Sequence, residues 1–143
     1  MKRFALQSSR GRFKLKAHVQ ELGEDILFAI WGGSRPHIGA VAAATPRPSL
    51  MDPRKWSATS SNFTFVGHKE DGLVRKVSEV MAARLRRNVV VAAGIHWDGI
   101  GPADIQIIEE LAGEITVRAL QRLQPAGRRG SPSTRSGRPP RRS

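Results

Sequence analysis

Two glycine-rich segments, each with one histidine, are the parts of this chain that could do chemistry. The first segment, residues 32–37, reads Gly-Gly-Ser-Arg-Pro-His. Glycine allows a backbone to approach a ligand and to point successive N–H groups at an anion, while the planar guanidinium of Arg35 suits a phosphate or a carboxylate. Gly32, Gly33, Arg35 and His37 are therefore candidate binding residues. A wide hairpin with Arg35 and His37 in solvent explains the same residues without a ligand.

The second segment, residues 94–102, reads Gly-Ile-His-Trp-Asp-Gly-Ile-Gly-Pro. It connects a predicted buried strand to a predicted helix, and the free N–H groups and dipole at a helix N-terminus favour an anionic ligand. His96 and Asp98 add polar groups, and the Trp97 ring could stack on a flat ligand. A capped helix start with a core tryptophan is the alternative interpretation. The two segments could form one site if the strands before them end at the same edge of a sheet.

Three of these side chains, His37, His96 and Asp98, are also residue types that bind divalent metals. A metal-dependent enzyme built on them is the main alternative to an anion site, although the close ligand pair of an H-E-x-x-H helix is absent. The sequence lacks G-x-S-x-G, Walker and G-x-G-x-x-G motifs, and no nucleophile stands out. The residues alone therefore predict an α+β domain with an anion site, and the metal-dependent enzyme stays open as the alternative.

The elements that must position these segments follow from hydrophobic periodicity. Alternating apolar and polar residues predict half-buried strands, small apolar runs predict buried strands, and apolar spacings of three and four predict amphipathic helices. The predicted strands are 12–22, 26–31, 37–45, 56–66 and 88–95, and the predicted helices are 69–87 and 102–124. The resulting order, ββββαβα, predicts an α+β fold with a four-stranded antiparallel meander followed by helix, strand and helix, a sandwich of sheet and helices.

The net charge of +12 is unevenly distributed along the 143 residues. Residues 1–16 and 125–143 each hold six Lys or Arg and no acid, whereas the middle of the chain holds 12 basic and 12 acidic residues. We therefore expect a basic N-terminal extension over 1–11, a folded domain over 12–124, and a disordered Arg/Pro/Ser-rich tail over 125–143. The tail could bind RNA, but the neutral body without tyrosine argues against a nucleic-acid-binding protein.

The compartment is indicated by what the composition lacks. The chain has no cysteine, which removes disulfides and thiolate metal sites and fits a reducing compartment. The basic start is not followed by the apolar segment of a signal peptide, and no apolar run is long enough to span a membrane. We therefore expect a soluble cytoplasmic protein.

Both glycine-rich segments also carry a resemblance to a known family. The stretches WGGSRPHIGAVAAA at 31–44 and TSSNFTFVGHKEDGLVRKVSEVMAARLRRNVVVAAGIHWDGIGPADIQIIEEL at 59–111 resemble the small D-subunit of gallate-type decarboxylases, the prenylated-flavin chaperone family. The motifs that carry the resemblance are Gly-Gly-x-x-Pro-His-Ile-Gly-Ala at 32–40, Gly-His-Lys-Glu-Asp at 67–71, and Gly-Ile-His-Trp-Asp at 94–98 followed by Asp104-Ile105. The resemblance covers roughly residues 12–123.

The resemblance implies a non-enzymatic accessory protein that binds prenylated FMN, or FMN itself, and helps deliver it to a UbiD-type decarboxylase. It implies a fold similar to that of proteasome-assembly chaperones, a homodimer, and a flavin prenyltransferase as a further partner. For the site, it implies phosphate binding by the Gly32–Gly33 turn, by the helix N-terminus after the second segment and by Arg35. It implies ring stacking by Trp31 or Trp97 and hydrogen bonds from His37 and His96 to the phosphate or the ring edge, with Asp98 as a further binding residue. A divalent metal at the phosphate is left open.

Overall fold

The computed structural model describes residues 1–65 and 70–127, which form a six-stranded sheet with two helices packed on one face. The element bounds are β1 Arg3–Arg10, β2 Phe13–Leu22, β3 Asp25–Gly33, β4 Ala40–Pro48, β5 Trp56–Thr64, α1 Asp71–Leu85, β6 Val89–His96 and α2 Pro102–Arg122. The strand order in the sheet is β1-β2-β3-β6-β4-β5.

The position of β6 brings the two glycine-rich segments together. β6 lies between β3 and β4, parallel to β3 and antiparallel to β4. Trp31 is opposite Gly94, and Gly33 is opposite His96. Because parallel strands finish at the same edge of a sheet, the segments that follow β3 and β6 leave the sheet side by side.

The predicted α+β class is confirmed, but the predicted strand order was wrong in two respects. Five strands precede α1, because Arg3–Arg10 is a strand and not an extension outside the domain. In addition, β3 and β4 are separated by β6, so the first strands do not form one continuous meander. A parallel pairing joins residues far apart in the chain, and the local pattern around β6 contains no signal for it.

Because β1 begins and ends with an arginine, its alternation of buried and exposed side chains is hard to recognise in the sequence. Phe4 and Leu6 are buried against the helices, while Arg3, Ala5 and Gln7 face solvent. Arg10 contacts Glu110 and lies 2.9 Å from Glu114, both on α2. Part of the N-terminal positive charge is therefore neutralised by the helix that packs over β1.

The core lies between the sheet and the two helices. Each helix buries one apolar stripe, as the spacings of three and four predict, and its largest members are Val74, Met81 and Leu85 on α1 and Leu111 and Ile115 on α2. Each such side chain contributes about 1.5–3 kcal/mol when fully buried. The start of α2 also agrees with the sequence, since Pro102 is its first residue and the Asp104 carboxylate accepts the Gly101 N–H at 3.1 Å.

The second face of the sheet carries no helix among the described residues. Leu27, Val90 and Phe63 point away from the core on β3, β6 and β5, and each is at least one-third exposed. The expectation for 128–143, most of the predicted tail, lies outside the described residues. No helix in the described ranges is long and apolar enough to cross a membrane.

Candidate functional site

The ends of β3 and β6 are joined by the first glycine-rich segment. The Ser34 N–H donates to the His96 carbonyl at 3.0 Å, just beyond the pairing of Gly33 with His96. Gly33 has a φ of +94°, and a Cβ at this position would lie 1.7 Å from the His96 oxygen. A glycine is therefore required here by the close approach of two backbones.

The turn that carries His37 lies directly on β6. A Cβ on Gly94 would lie 1.6 Å from the His37 carbonyl oxygen, so the absence of a side chain at Gly94 lets the turn rest against the strand. The Gly39 N–H donates to the Ala93 carbonyl at 2.8 Å, and His37 Nδ1 lies 2.7 Å from the Arg35 carbonyl. These contacts fix the position of the His37 ring relative to the end of β6.

Glu70, which the sequence analysis assigned to no site, sits between this turn and β6. Its Oε1 accepts the Ile95 N–H at 3.2 Å and lies 3.3 Å from His37 Nε2. The carboxylate occupies the space left by Gly39, where a Cβ would be 2.3 Å from Oε2. The described pairing of β4 with β6 ends at Ala93, and Glu70 supplies an acceptor for the next outward N–H. The need for an acceptor at the Ile95 N–H follows from the separation of β4 and β6 beyond Ala93, which the sequence does not reveal.

The second glycine-rich segment places an aromatic ring and a histidine beyond β6. Trp97 packs edge-to-face on Phe13 with ring centroids 5.1 Å apart, and a Cβ on Gly32 would lie 3.0 Å from its ring. His96 Nε2 lies 3.0 Å from Asp98 Oδ1, with the Asp98 side chain largely exposed. Trp97 is thus anchored in the core, whereas His96 and Asp98 lie at the surface.

A groove of about 700 Å³ starts at this edge and runs between α1 and α2. Both helices begin beside the end of β6, and the groove extends along them to Arg84 on α1 and Leu120 on α2. Its wall is mainly apolar and includes Leu73, Val77, Ile100, Ile105, Ile108 and Val117. Such a volume and lining are typical of sites for small organic ligands.

The structure places the seven predicted site residues in different surroundings. His96 and Trp97 line the groove, whereas Gly32 lies against the Trp97 ring and Gly33 against the His96 backbone. His37 instead lines a recess of about 310 Å³ with Trp31 and Ile38. Its ring also contacts Glu70 at the end of β6. Arg35 and Asp98 line neither cavity.

The structure does not support the three-ligand metal hypothesis. His96 contacts Asp98, whereas His37 contacts Glu70. Among residues 1–65 and 70–127, no three His, Cys, Asp or Glu side chains are grouped closely enough to hold a metal ion. The Trp31 ring, the other proposed stacking partner, packs edge-to-face on His18, with ring centroids 5.2 Å apart and away from the groove.

Comparison with protein families shows to which family this chain belongs. The family of prenylated flavin chaperone LpdD-like domains matches residues 9–124, which include β2 to α2 and both glycine-rich segments. This chain belongs to that family. Membership confirms the resemblance carried by the motifs at 32–40, 67–71 and 94–98, and it assigns an accessory, flavin-related role.

Two known proteins are similar to this LpdD-like chain. Protein LpdD of Lactiplantibacillus plantarum (strain ATCC BAA-793 / NCIMB 8826 / WCFS1) is 29% identical over 116 residues, which cover 78% of this chain and 79% of that protein. A chain in the crystal structure of a chaperone complex for yeast 20S proteasome assembly is 13% identical with a TM-score of 0.47. That similarity covers 83% of this chain and 97% of the yeast chain.

Proposed function

We propose that this protein binds prenylated FMN in the groove between α1 and α2 and helps deliver it to a UbiD-type, gallate or hydroxyarylate decarboxylase. The observation that carries the proposal is an apolar groove of about 700 Å³ that begins at the second glycine-rich segment, within the residues that match the family. A prenylated flavin has a large, flat ring system with an added apolar ring, and a groove of this size and lining fits that part of the ligand.

The groove residues are suited to binding a ligand and not to catalysing a reaction on it. Trp97 offers a ring for stacking, and its packing on Phe13 fixes that ring before a ligand arrives. His96 lies beside it with polar atoms for the edge of the ligand. The proposal assigns these residues no catalytic step, in keeping with a carrier.

The form of the groove also suits release. Ile105 and Val117 line it and are about half exposed, so a bound ligand is reached from solvent along the helices. A carrier must transfer its cargo to a second protein, and an open groove allows the decarboxylase to approach the ligand before it leaves. A reducing cytoplasm, consistent with the absence of cysteine, is the compartment that we propose for this exchange.

The bare face of the sheet supports a homodimer as part of the proposal. Leu27 and Val90 lie at its centre, on adjacent strands, and both are exposed. Burial of such a face against a second copy removes apolar surface from water. The double substitution Leu27→Glu and Val90→Glu should convert a dimer to a monomer in analytical ultracentrifugation, and a monomeric parent protein would contradict this part.

The experiment that tests the function is anaerobic purification after co-expression with a flavin prenyltransferase, followed by absorbance and mass analysis. We expect prenylated FMN to co-purify. Trp97→Ala should retain at least tenfold less flavin, whereas Trp31→Ala is the matched control on the bare face and should retain it fully. A colourless parent protein that takes up no added prenylated FMN would contradict the proposal.

A further inference from the structure

The groove has different charges along its length. At its start, the Glu70 and Asp71 carboxylates lie at the N-terminus of α1. Further along the same helix, Lys76 and Arg84 line the wall. The distance from Asp71 to Arg84 is about 20 Å along the helix axis, which separates an acidic start from a basic far end.

The two cations of the groove are available to a ligand. Neither Lys76 nor Arg84 forms an ion pair with a residue in the described part of the chain, although Glu109 of α2 also lines the groove. By contrast, Arg75 on the same helix lies 3.6 Å from Glu79 and is absent from the groove lining. The free positive charge of α1 is therefore on its groove side.

The acidic start of the groove disfavours an anionic group. The Glu70 side chain is nine-tenths buried, and its Oε2 lies against Gly39 with almost no accessible surface, so this oxygen is closed to a ligand in the groove. The charge of the Glu70 and Asp71 carboxylates nevertheless repels a phosphate at this end of the groove.

We propose that this difference in charge orients the ligand, with its phosphate toward Lys76 and Arg84 and its ring system at the start of the groove, where Trp97 lies. The inference rests on the proposed function and adds the direction in which the ligand lies. It differs from the sequence prediction, which placed the phosphate at a helix N-terminus and the Gly32–Gly33 turn, with Arg35. Arg35 does not line the groove, and the Gly101 N–H at the N-terminus of α2 already donates to the Asp104 carboxylate.

The test compares the affinity for prenylated FMN with that for the same flavin without its phosphate. In the parent protein we expect the phosphate to improve affinity at least tenfold at low salt, because charge-assisted hydrogen bonds are strong. The double variant Lys76→Ala, Arg84→Ala should lose most of this ratio, whereas Arg75→Ala should keep it. An unchanged ratio in the double variant, or a ratio lost in Arg35→Ala, would overturn the orientation.

The outcomes separate this inference from the function on which it rests. If the parent protein binds no prenylated FMN, the proposed function itself is wrong. If the parent protein binds it and the double variant Lys76→Ala, Arg84→Ala keeps the full effect of the phosphate on affinity, the function stands and the orientation is overturned.

Discussion

The two ends of β3 and β6 are built differently. At the end where both strands begin, Arg87 is buried and donates four hydrogen bonds. At the end where both strands finish, glycines and a histidine–carboxylate contact adjoin an open groove. Arg87 donates to the carbonyls of Gly23, Glu24 and Gln124 at 2.5–3.1 Å and to the Glu21 carboxylate at 3.0 Å. It thereby ties the turn between β2 and β3 to the segment after α2. Its side chain is only 7% exposed.

The opposite end has close backbone approaches in place of such a clamp. Gly33 and Gly94 each admit a neighbouring carbonyl where a Cβ would be less than 2 Å away. Glu70 has one buried oxygen without a donor in the described residues. The comparison teaches that the buried side-chain clamp lies at the end of the sheet away from the groove, whereas the groove end is held by close backbone contacts that leave an open space between the helices.

The largest effect should come from breaking the clamp. Arg87→Ala leaves the Glu21 carboxylate and three carbonyls without this donor, and we expect a loss of about 3 kcal/mol in the free energy of unfolding. Urea denaturation followed by circular dichroism measures it. Arg54→Ala is the control, because Arg54 is exposed and contacts only Asp52 among the described residues. Equal stability of the two variants would remove the distinction between the ends.

A smaller effect is expected from closing the space beneath the His37 turn. Gly94→Ala places a methyl group against the His37 carbonyl, and overpacking of this kind costs about 2 kcal/mol. We also expect weaker flavin binding, since the turn and Glu70 must move. Gly72→Ala is the control, because nothing lies within 4 Å of its added Cβ. Unchanged stability and binding in Gly94→Ala would show that the close approach has no role.

The smallest effect concerns acid. The Lys2 N–H and then Arg87 hold the pKa of Glu21 below its usual value of 4.5. A carboxyl whose folded pKa is lowered stabilises the protein above its unfolded pKa, and this stabilisation disappears as the pH falls through the folded pKa. Glu21→Gln should therefore lose less stability than the parent when urea unfolding at pH 6 and pH 3 is compared. An equal loss in both proteins would contradict the assignment.

The local elements were largely predictable from the sequence, and the reasons are physical. The alternation in β2 and the apolar stripes of α1 and α2 are short-range patterns, and Pro102 with Asp104 defines a helix start. The class α+β follows from such patterns. The insertion of β6 between β3 and β4 does not, because strand pairing depends on residues distant in the chain.

The candidate segments were recognisable in the sequence, but their surroundings were not. The glycine-rich segments at 32–37 and 94–102 lie side by side in the structure, an arrangement that the sequence left open. Glu70 was missed because its role depends on the gap that opens between β4 and β6 after Ala93. Lys76 and Arg84 read as ordinary surface residues of an amphipathic helix until the groove between the helices is seen.

The measurement that tests the central claim most directly is the affinity of prenylated FMN for Gly113→Leu. Gly113 lines the groove, and nothing lies within 4 Å of an added Cβ, so a leucine side chain at this position enters the space of the groove. The substitution should also favour α2 by about 0.8 kcal/mol. We predict at least tenfold weaker binding with an equal or higher melting temperature, while Gly113→Ala, the matched control, binds like the parent. Full affinity in Gly113→Leu would contradict the claim that the cargo lies between α1 and α2.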